Sequence, residues 1–436
     1  MDVAGAPKRT GRTGIPEPGG VASHAPGGAG TPTAETGLIA AVGWSYFPLA
    51  FLARLPYAMM VVGVLTLVVS GRDSLALGGL TSAAVGVGAA AMGPFLGAAA
   101  DRFGQRAAVL VAGCGNALAL LLIAWAVYAP VPDAAVLAAA LLVGATAPQV
   151  GPMSRSRLVG AILRTVPVLR RETAMNRTMA YESAVDEVTF VVGPVVVGVL
   201  AALVSPAAPV IAAAGVTLVF VTAFALHPSV HQSLGHAAGE VAPAPARDLF
   251  RAPVVVVVLG VLGIGLFFGA SLTAVTSFME DAGHAEEAGL VYGALGLGSA
   301  VLALAAMLFP ERFRLTARWL VFGVVMLLGA GVLAASNSIS MLLLGLLIAG
   351  VGIGPTLVTL FSLGAQRSPR GRNATVMTIL GSAIIVGQSA ASAINGRIGE
   401  GLGTGAALLL PAVAATVVVA AGLTNAVLVR RSGPAR

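Results

Sequence analysis

Cysteine and lysine are all but missing from this chain: among 436 residues there is one of each, Cys114 and Lys8. A lone cysteine set in an apolar run excludes an internal disulfide and any cysteine-based metal cluster. Charge is scarce as well, at 10% of residues against about a quarter in an ordinary soluble domain, and aromatics make up 5%. The five histidines are His24, His227, His231, His236 and His284. They avoid the centre of every apolar run, match no metal-ligand spacing, and belong to no His-Glu-x-x-His motif, so a metal site and the usual hydrolytic chemistries have no foothold. Neither a metal nor a cofactor is expected.

Apolar sequence is what the chain has in abundance: 57% of residues are hydrophobic and the mean hydropathy is +0.93. A membrane-crossing helix needs roughly 20 mostly apolar residues, so a chain of this length holds about a dozen. The pattern predicts spans near 44–69, 75–98, 107–128, 134–154, 179–203, 207–227, 254–278, 286–309, 317–335, 340–364, 373–397 and 405–428. The net charge of +7 does not indicate nucleic acid, because the basic residues sit in short loops with no aromatic interleaving. They are topological. With the N-terminus inside, the inner segments hold every basic residue except Arg54, Arg72 and Arg397. Outer loops and helix ends carry acids instead, among them Asp73, Asp133, Glu280, Asp281, Glu286, Glu287 and Glu400. The expectation is an all-α membrane protein with an even number of spans and both termini cytoplasmic. Arginine-rich, lysine-poor usage points to a GC-rich bacterial genome and hence to the inner membrane of a bacterial cell.

The chain divides into a Pro/Gly-rich, disordered tail and lead-in (1–43), six spans (44–227), a cytoplasmic linker holding Pro228, His231, His236, Pro243 and Pro245 (228–253), six more spans (254–428) and a short tail (429–436). Two six-helix halves with a solute site between them are a recurrent carrier architecture. A faint internal echo fits it: Leu141-Leu142-Val143-Gly144 before Pro148, and Leu346-Leu347-Ile348-Ala349-Gly350 before Pro355.

Between the second and third spans the chain reads Gly93-Pro94-Phe95-Leu96-Gly97-Ala98-Ala99-Ala100-Asp101-Arg102-Phe103-Gly104-Gln105-Arg106. This resembles the signature loop of the major facilitator superfamily, and it falls where that family has it. The resemblance covers about 44–428 and implies twelve helices in two pseudo-symmetric halves, with Gly97, Asp101, Arg102, Gly104 and Arg106 forming a conformational latch. The N-terminus of the eleventh helix, near Arg372 and Asn373, is the expected partner of Asp101, since a helix N-terminus favours an anion. The matching loop of the second half, around Glu311 to Arg318, lacks the pattern.

In the fifth span, Gly193-Pro194 followed by Gly198 resembles the element of the drug and proton antiporter branch, although the Gly-Gly pair of that pattern is absent. Pro194 cannot bond the Phe190 carbonyl, so a bend is expected. Ionisable residues within spans are few. Arg54 needs a carboxylate partner, and Glu182, Asp186 and Glu187 lie at matching depth. These acids are either permanent braces for Arg54, Arg155, Arg157 or Arg177 or a proton-coupling site. The family resemblance implies a central cavity from spans 1, 4, 7 and 10, with Tyr57, Gln149, Phe267, Ser271, Thr273 and Thr356 as candidate lining and Gln388 nearby. The expected function is secondary transport by a monomer in the lipid bilayer, with a small-molecule substrate and protons as partners, exporting a hydrophobic or amphipathic solute. Nutrient uptake is the alternative; a non-transporting sensor and a membrane-embedded enzyme rank below it.

Overall fold

The computed structural model describes residues 34–232, 244–284, 288–310 and 312–431. Of the disordered tail and lead-in expected over 1–43, residues 1–33 lie outside the described residues, as do linker residues 233–243 with His236 and Pro243, the acids Glu286 and Glu287, Glu311, and residues 432–436, whereas residues 34–42 are helical and not disordered. Among the described residues, twelve helices are long and apolar enough to cross a bilayer, in the number and order that the hydropathy pattern predicts.

In the first half these are α1 (Tyr46–Arg72), α2 (Leu75–Phe103), α3 (Gln105–Tyr128), α4 in two pieces (Asp133–Ala145 and Val150–Thr165), α5 (Arg171–Leu203) and α6 (Ala208–Leu226). In the second half they are α7 (Ala252–Asp281), α8 (Ala288–Ala305), α9 (Leu315–Ala334), α10 (Ile339–Arg367), α11 (Asn373–Leu402) and α12 (Leu410–Arg431). A short helix, Ala34–Val42, leads into α1, and single 3-10 turns at Pro228–Gln232 and Ala246–Phe250 flank the connection between halves.

The outer surface is that of a lipid-facing bundle. On α3 the exposed residues Val111, Leu118 and Trp125 recur every seven residues, so one whole face is apolar and open. Such a stripe is a liability in water and the normal state in hydrocarbon. The opposite face of α3 buries Ala117, Leu120 and Ile123 into the core of the first half.

Three boundaries differ from the expectation, the fifth span beginning at Arg171 rather than near 179. The segment from Gly93 to Arg106 is helical through Phe103, and only Gly104, at φ 90°, separates α2 from α3. The alanines before Asp101 are good helix formers, and one glycine in the left-handed region is enough to turn the chain. The fourth span runs eleven residues past its predicted end and is broken at 146–149. Pro148 disfavours helical backbone at the residue before it, which sets the break. The longer span takes Arg155 and Arg157 out of the loop in which the charge pattern placed them and buries both.

Glycine pairs reveal the relation between the halves. On α2 a Cβ at Gly88 would lie 2.3 Å from the Leu141 carbonyl oxygen, and on α4 one at Gly144 would lie 1.9 Å from that of Val85. On α8 a Cβ at Gly298 would lie 2.8 Å from the Leu347 oxygen, and on α10 one at Gly350 would lie 2.3 Å from that of Leu295. The offsets match residue for residue, so α2 with α4 and α8 with α10 are two copies of one backbone-to-backbone contact. Gly86-Val87-Gly88 and Gly296-Leu297-Gly298 are its trace in the sequence. The halves then meet along two seams, α2 against α11 and α5 against α8.

Any side chain at Gly144 or Gly350 meets backbone that cannot move aside, at a cost of about 1–3 kcal/mol or more. Gly144→Val and Gly350→Val are each expected to lower the melting temperature of the detergent-purified protein and its yield. Gly293→Ala, with no atom within 4 Å of the added carbon, is the control that leaves both unchanged. Native-like melting of the two valine variants would show that these contacts do not hold the helices of each half together.

Candidate functional site

The site is built where the two halves touch, beginning at the end of the bundle rich in arginine. There Asp101, in the last turn of α2, is 3% exposed. Its Oδ1 accepts from the Ala374 N–H at 3.1 Å, and its Oδ2 accepts from the Thr375 N–H at 2.7 Å and the Thr375 hydroxyl at 2.6 Å. A carboxylate thus closes the N-terminus of α11, where the first N–H groups have no partner in their own helix and the dipole favours an anion. Gly97 permits the approach, since a Cβ there would fall 2.1 Å from the Thr378 hydroxyl. Arg102 lies over the Phe103 ring at 5.3 Å, and both it and Arg106 are exposed.

Further polar contacts close the same end. Asn373 donates to the Ser156 hydroxyl at 3.4 Å. Asn176 of α5 donates to the Ala306 carbonyl at 2.7 Å and accepts from Arg318 of α9 at 2.7 Å. Along α2 the seam slackens with distance from this end: a Cβ at Gly97, Gly93 and Gly86 would meet α11 at 2.1, 2.6 and 3.7 Å. The two helices are pressed most tightly together at the arginine-rich end and are in ordinary contact further along.

Deeper in the bundle lies a chain of buried charge. Arg54 Nη2 donates to Glu182, whose other oxygen accepts from the Ser154 hydroxyl at 3.0 Å; Ser154 in turn shares a 2.6 Å hydrogen bond with the Tyr46 hydroxyl. Asp186 stands between two guanidiniums, with Oδ1 3.3 Å from Arg54 Nε and Oδ2 accepting from Arg155 Nη2 at 2.8 Å. Arg155 then reaches across to the second half, over the Phe361 ring of α10 at 4.0 Å. Glu187, the next residue after Asp186, takes no part. Its Oε1 accepts from the Ser299 hydroxyl of α8 at 2.9 Å. Arg157 also stands apart, donating to Gln105 at 2.9 Å and the Phe224 carbonyl at 2.7 Å, so it caps α6. Burial, and then the Arg157 guanidinium, hold the neighbouring His227 below the usual imidazole range.

Arg54, Asp186 and Arg155 face a cavity of about 110 Å³ between the halves. Pro148 and Gln149 of the break in α4 and Gly151 just after it line the cavity, and Tyr57, Phe190, Phe361, Ile384 and Ile385 form apolar walls. Residues 46–392 match the sequence model of the Major Facilitator Superfamily. The chain belongs to that family. It is therefore a membrane transporter and not an enzyme. Solved structures share the fold. The human organic anion transporter MFSD10 (TETRAN) superposes with a TM-score of 0.67 at 18% identity, over 88% of this chain and 99% of that one. A bacterial homologue of the iron transporter ferroportin, in an outward-facing state, gives 0.66 at 15% identity, over 92% and 100%. The proton:xylose symporter XylE gives 0.62 at 12% identity, over 87% and 94%. No curated protein matches this transporter by sequence.

Of the residues expected to face the solute, Tyr57 and Gln149 line the cavity. Phe267 is packed in the core of the second half, and Ser271 is fully buried. Thr273 and Thr356 bond back to the carbonyls of Gly269 and Gly352 at 3.0 and 2.7 Å, and the Gln388 backbone lies against Gly269. In α5, Gly193 lets Ala58 of α1 approach, Gly198 has nothing within 4 Å, and the helix runs unbroken through Pro194. Arg155, expected only as a brace for the acids of the fifth span, pairs with Asp186 and also lines the cavity; Ser299 and Phe361 escaped sequence reasoning. A signal for Arg155 existed in Pro148, which shifts the helix start and carries the span onward.

Asp101→Asn turns one of three acceptor contacts into a donor facing N–H groups, costing about 1–3 kcal/mol. With Cys114 replaced by serine and a reporter introduced as Ser156→Cys, at a position 1% exposed, Asp101→Asn is expected to raise the maleimide labelling rate about tenfold or more. Equal rates with and without the native aspartate would mean that this contact does not keep the end closed.

Proposed function

We propose that this transporter is a secondary active carrier that exports a hydrophobic or amphipathic small molecule across the bacterial inner membrane in exchange for protons, by alternating access with both termini in the cytoplasm. The arginine-rich end is then the cytoplasmic one. Closure there rests on polar side-chain contacts that can be exchanged for water, which is what a reversible gate requires. The apolar walls of the cavity and the Gly193-Pro194 element favour an apolar solute and export.

The observation that carries proton coupling is Glu187. Its carboxyl lies on the seam between α5 and α8, bonded to the Ser299 hydroxyl, and among the described residues no cation reaches it. The groups around it are Asp186 on its own helix and, on α8, Ser299 and Tyr292, whose hydroxyl is engaged with the Phe268 carbonyl at 3.2 Å. An ionised carboxylate with one hydroxyl partner at membrane depth is costly, whereas a protonated one is neutral and can itself donate to Ser299. A proton on Glu187 therefore favours the closed seam, and its loss favours separation. The same fold serves proteins described as proton symporters, so direction is decided by assay.

A survival and accumulation screen across toxic compounds, followed by transport into inverted vesicles, tests the reading. Cells with the protein are expected to accumulate less of an exported compound, and that compound to discharge an imposed pH gradient. Glu187→Gln is expected to abolish the discharge while preserving exchange of solute for solute. Discharge that survives Glu187→Gln would place the proton elsewhere, and higher accumulation in cells that make the protein would establish uptake.

A further inference from the structure

Counting donors and acceptors around the cavity gives an unequal result. Arg54 Nη1 and Arg155 Nε are buried and bonded to nothing, and Arg54 Nε, though 3.3 Å from Asp186, is outside hydrogen-bond geometry. Both carboxylates are already committed, Glu182 to Arg54 and Ser154, Asp186 to Arg155 and Arg54. Every unmet group is thus a charged donor. Such donors cost more free energy when left unpaired than neutral ones do. Both arginines are 3% exposed, so bulk solvent does not supply the missing acceptors.

The cavity lies against these groups. Among the described residues, Asp186, with its side chain 27% exposed, is the one carboxylate on the cavity wall. Around it stand the rings of Tyr57, Phe190 and Phe361 and the side chains of Ile384 and Ile385. A chamber that is apolar on its sides and ends on two guanidiniums is suited to a molecule with acceptor oxygens at one end and a hydrocarbon body at the other. The planar fork of each arginine favours a carboxylate among such groups. At about 110 Å³ the chamber is somewhat smaller than a cavity of about 150 Å³ known to hold benzene, so the body is short in this conformation.

We infer that Arg54 and Arg155 form the headgroup site for a small organic anion, whose carboxylate takes over the guanidiniums now held by Asp186. This deepens the proposed function by giving the amphipathic solute a negative charge, and it rests on that reading only in taking the cavity as the solute site. Asp186 acts as an internal stand-in for the ligand. It keeps the arginines partly compensated while the site is empty and competes with the solute for them.

The competition supplies a test in which two variants move affinity in opposite directions. The probes are butanoate and benzoate, with butanamide and benzamide as neutral counterparts of equal shape and tetraethylammonium as a cation. Binding is measured by calorimetric titration of the full chain in detergent at one fixed pH, with no proton gradient. The carboxylates are expected to bind at least tenfold more tightly than their amides. Arg155→Gln is expected to reduce that preference at least tenfold, with Arg155→Lys retaining part of it. Asp186→Asn is expected to raise carboxylate affinity about tenfold, an outcome that a purely structural brace would not produce. Equal binding of acids and amides, tighter binding of tetraethylammonium, no binding of any probe, or weaker carboxylate binding in Asp186→Asn would each overturn the inference. Because no gradient is involved, failure of proton coupling at Glu187 would leave this result untouched.

Discussion

A guanidinium in the middle of a lipid-embedded bundle has to find its anion inside the protein, and the position of Arg54 organises much of the first half. An unpaired charge at that depth costs several kcal/mol, comparable with a large part of a domain's net stability. Arg54 lies eight residues into α1, roughly 12 Å from its start, so its partners have to come from other helices at the same height. Glu182 and Asp186, one turn apart on α5, supply them and draw α1 and α5 together. Asp186 then needs a second cation, and Arg155 reaches it because α4 breaks and restarts just before that residue. The break leaves irregular backbone at membrane depth, which is tolerated where it lines a cavity. Cavity, broken helix and charge chain are one solution to one constraint.

The second constraint separates rigid contacts from movable ones. Within each half the glycines bring backbone against backbone, with virtual Cβ positions 1.9–2.8 Å from carbonyl oxygens of the neighbouring helix. Contacts of that kind have no side chain to rotate and give way only by unpacking. Across the seams, apart from the close approach of α2 to the α11 backbone at Gly97, the contacts are of another kind: a carboxylate on a helix N-terminus, a guanidinium on a ring, an amide on a carbonyl. Each of these has an equivalent in water. The molecule is therefore stiff within its halves and exchangeable between them, which is the mechanical requirement for two bodies to rock about a fixed cavity.

This contrast also explains what the sequence revealed and what it withheld. Spans could be counted because an apolar run of membrane length has few other uses, and the Asp101 segment identified the family because its residues are consecutive. The pairing of Arg54 with Glu182 and Asp186 was legible because ionisable residues in spans are so few that each narrows the choice for the others. Arg155 and Arg157 were legible as candidate partners for the acids, but their place inside the fourth span was hidden by the rule that reveals topology, since arginines clustered near a span's end read as loop. Ser299 and Phe361 carry no signal of their own, being common residues given meaning only by what faces them. The Gly-x-Gly repeat at 86–88 and 296–298 was visible but too short to separate from chance in a chain with 56 glycines.

Asp186 and Glu187 bring these strands together because they are consecutive. Neighbours on a helix point about 100° apart, so one carboxyl faces the cavity and its arginines while the other faces the seam with α8. Neither can shift its helix without moving the other. On the proposed reading, a change of partner at Asp186 would alter the pull that Arg54 and Arg155 exert on α5, and the same small rotation would open or close the distance from Glu187 to Ser299. Solute binding and closure of the halves would ordinarily need a path of intermediates to influence each other. In the proposed mechanism that path is one peptide unit long. Communication between cavity and seam then depends on α5 turning as a rigid rod, and the unbroken helix from Arg171 to Leu203 meets that condition.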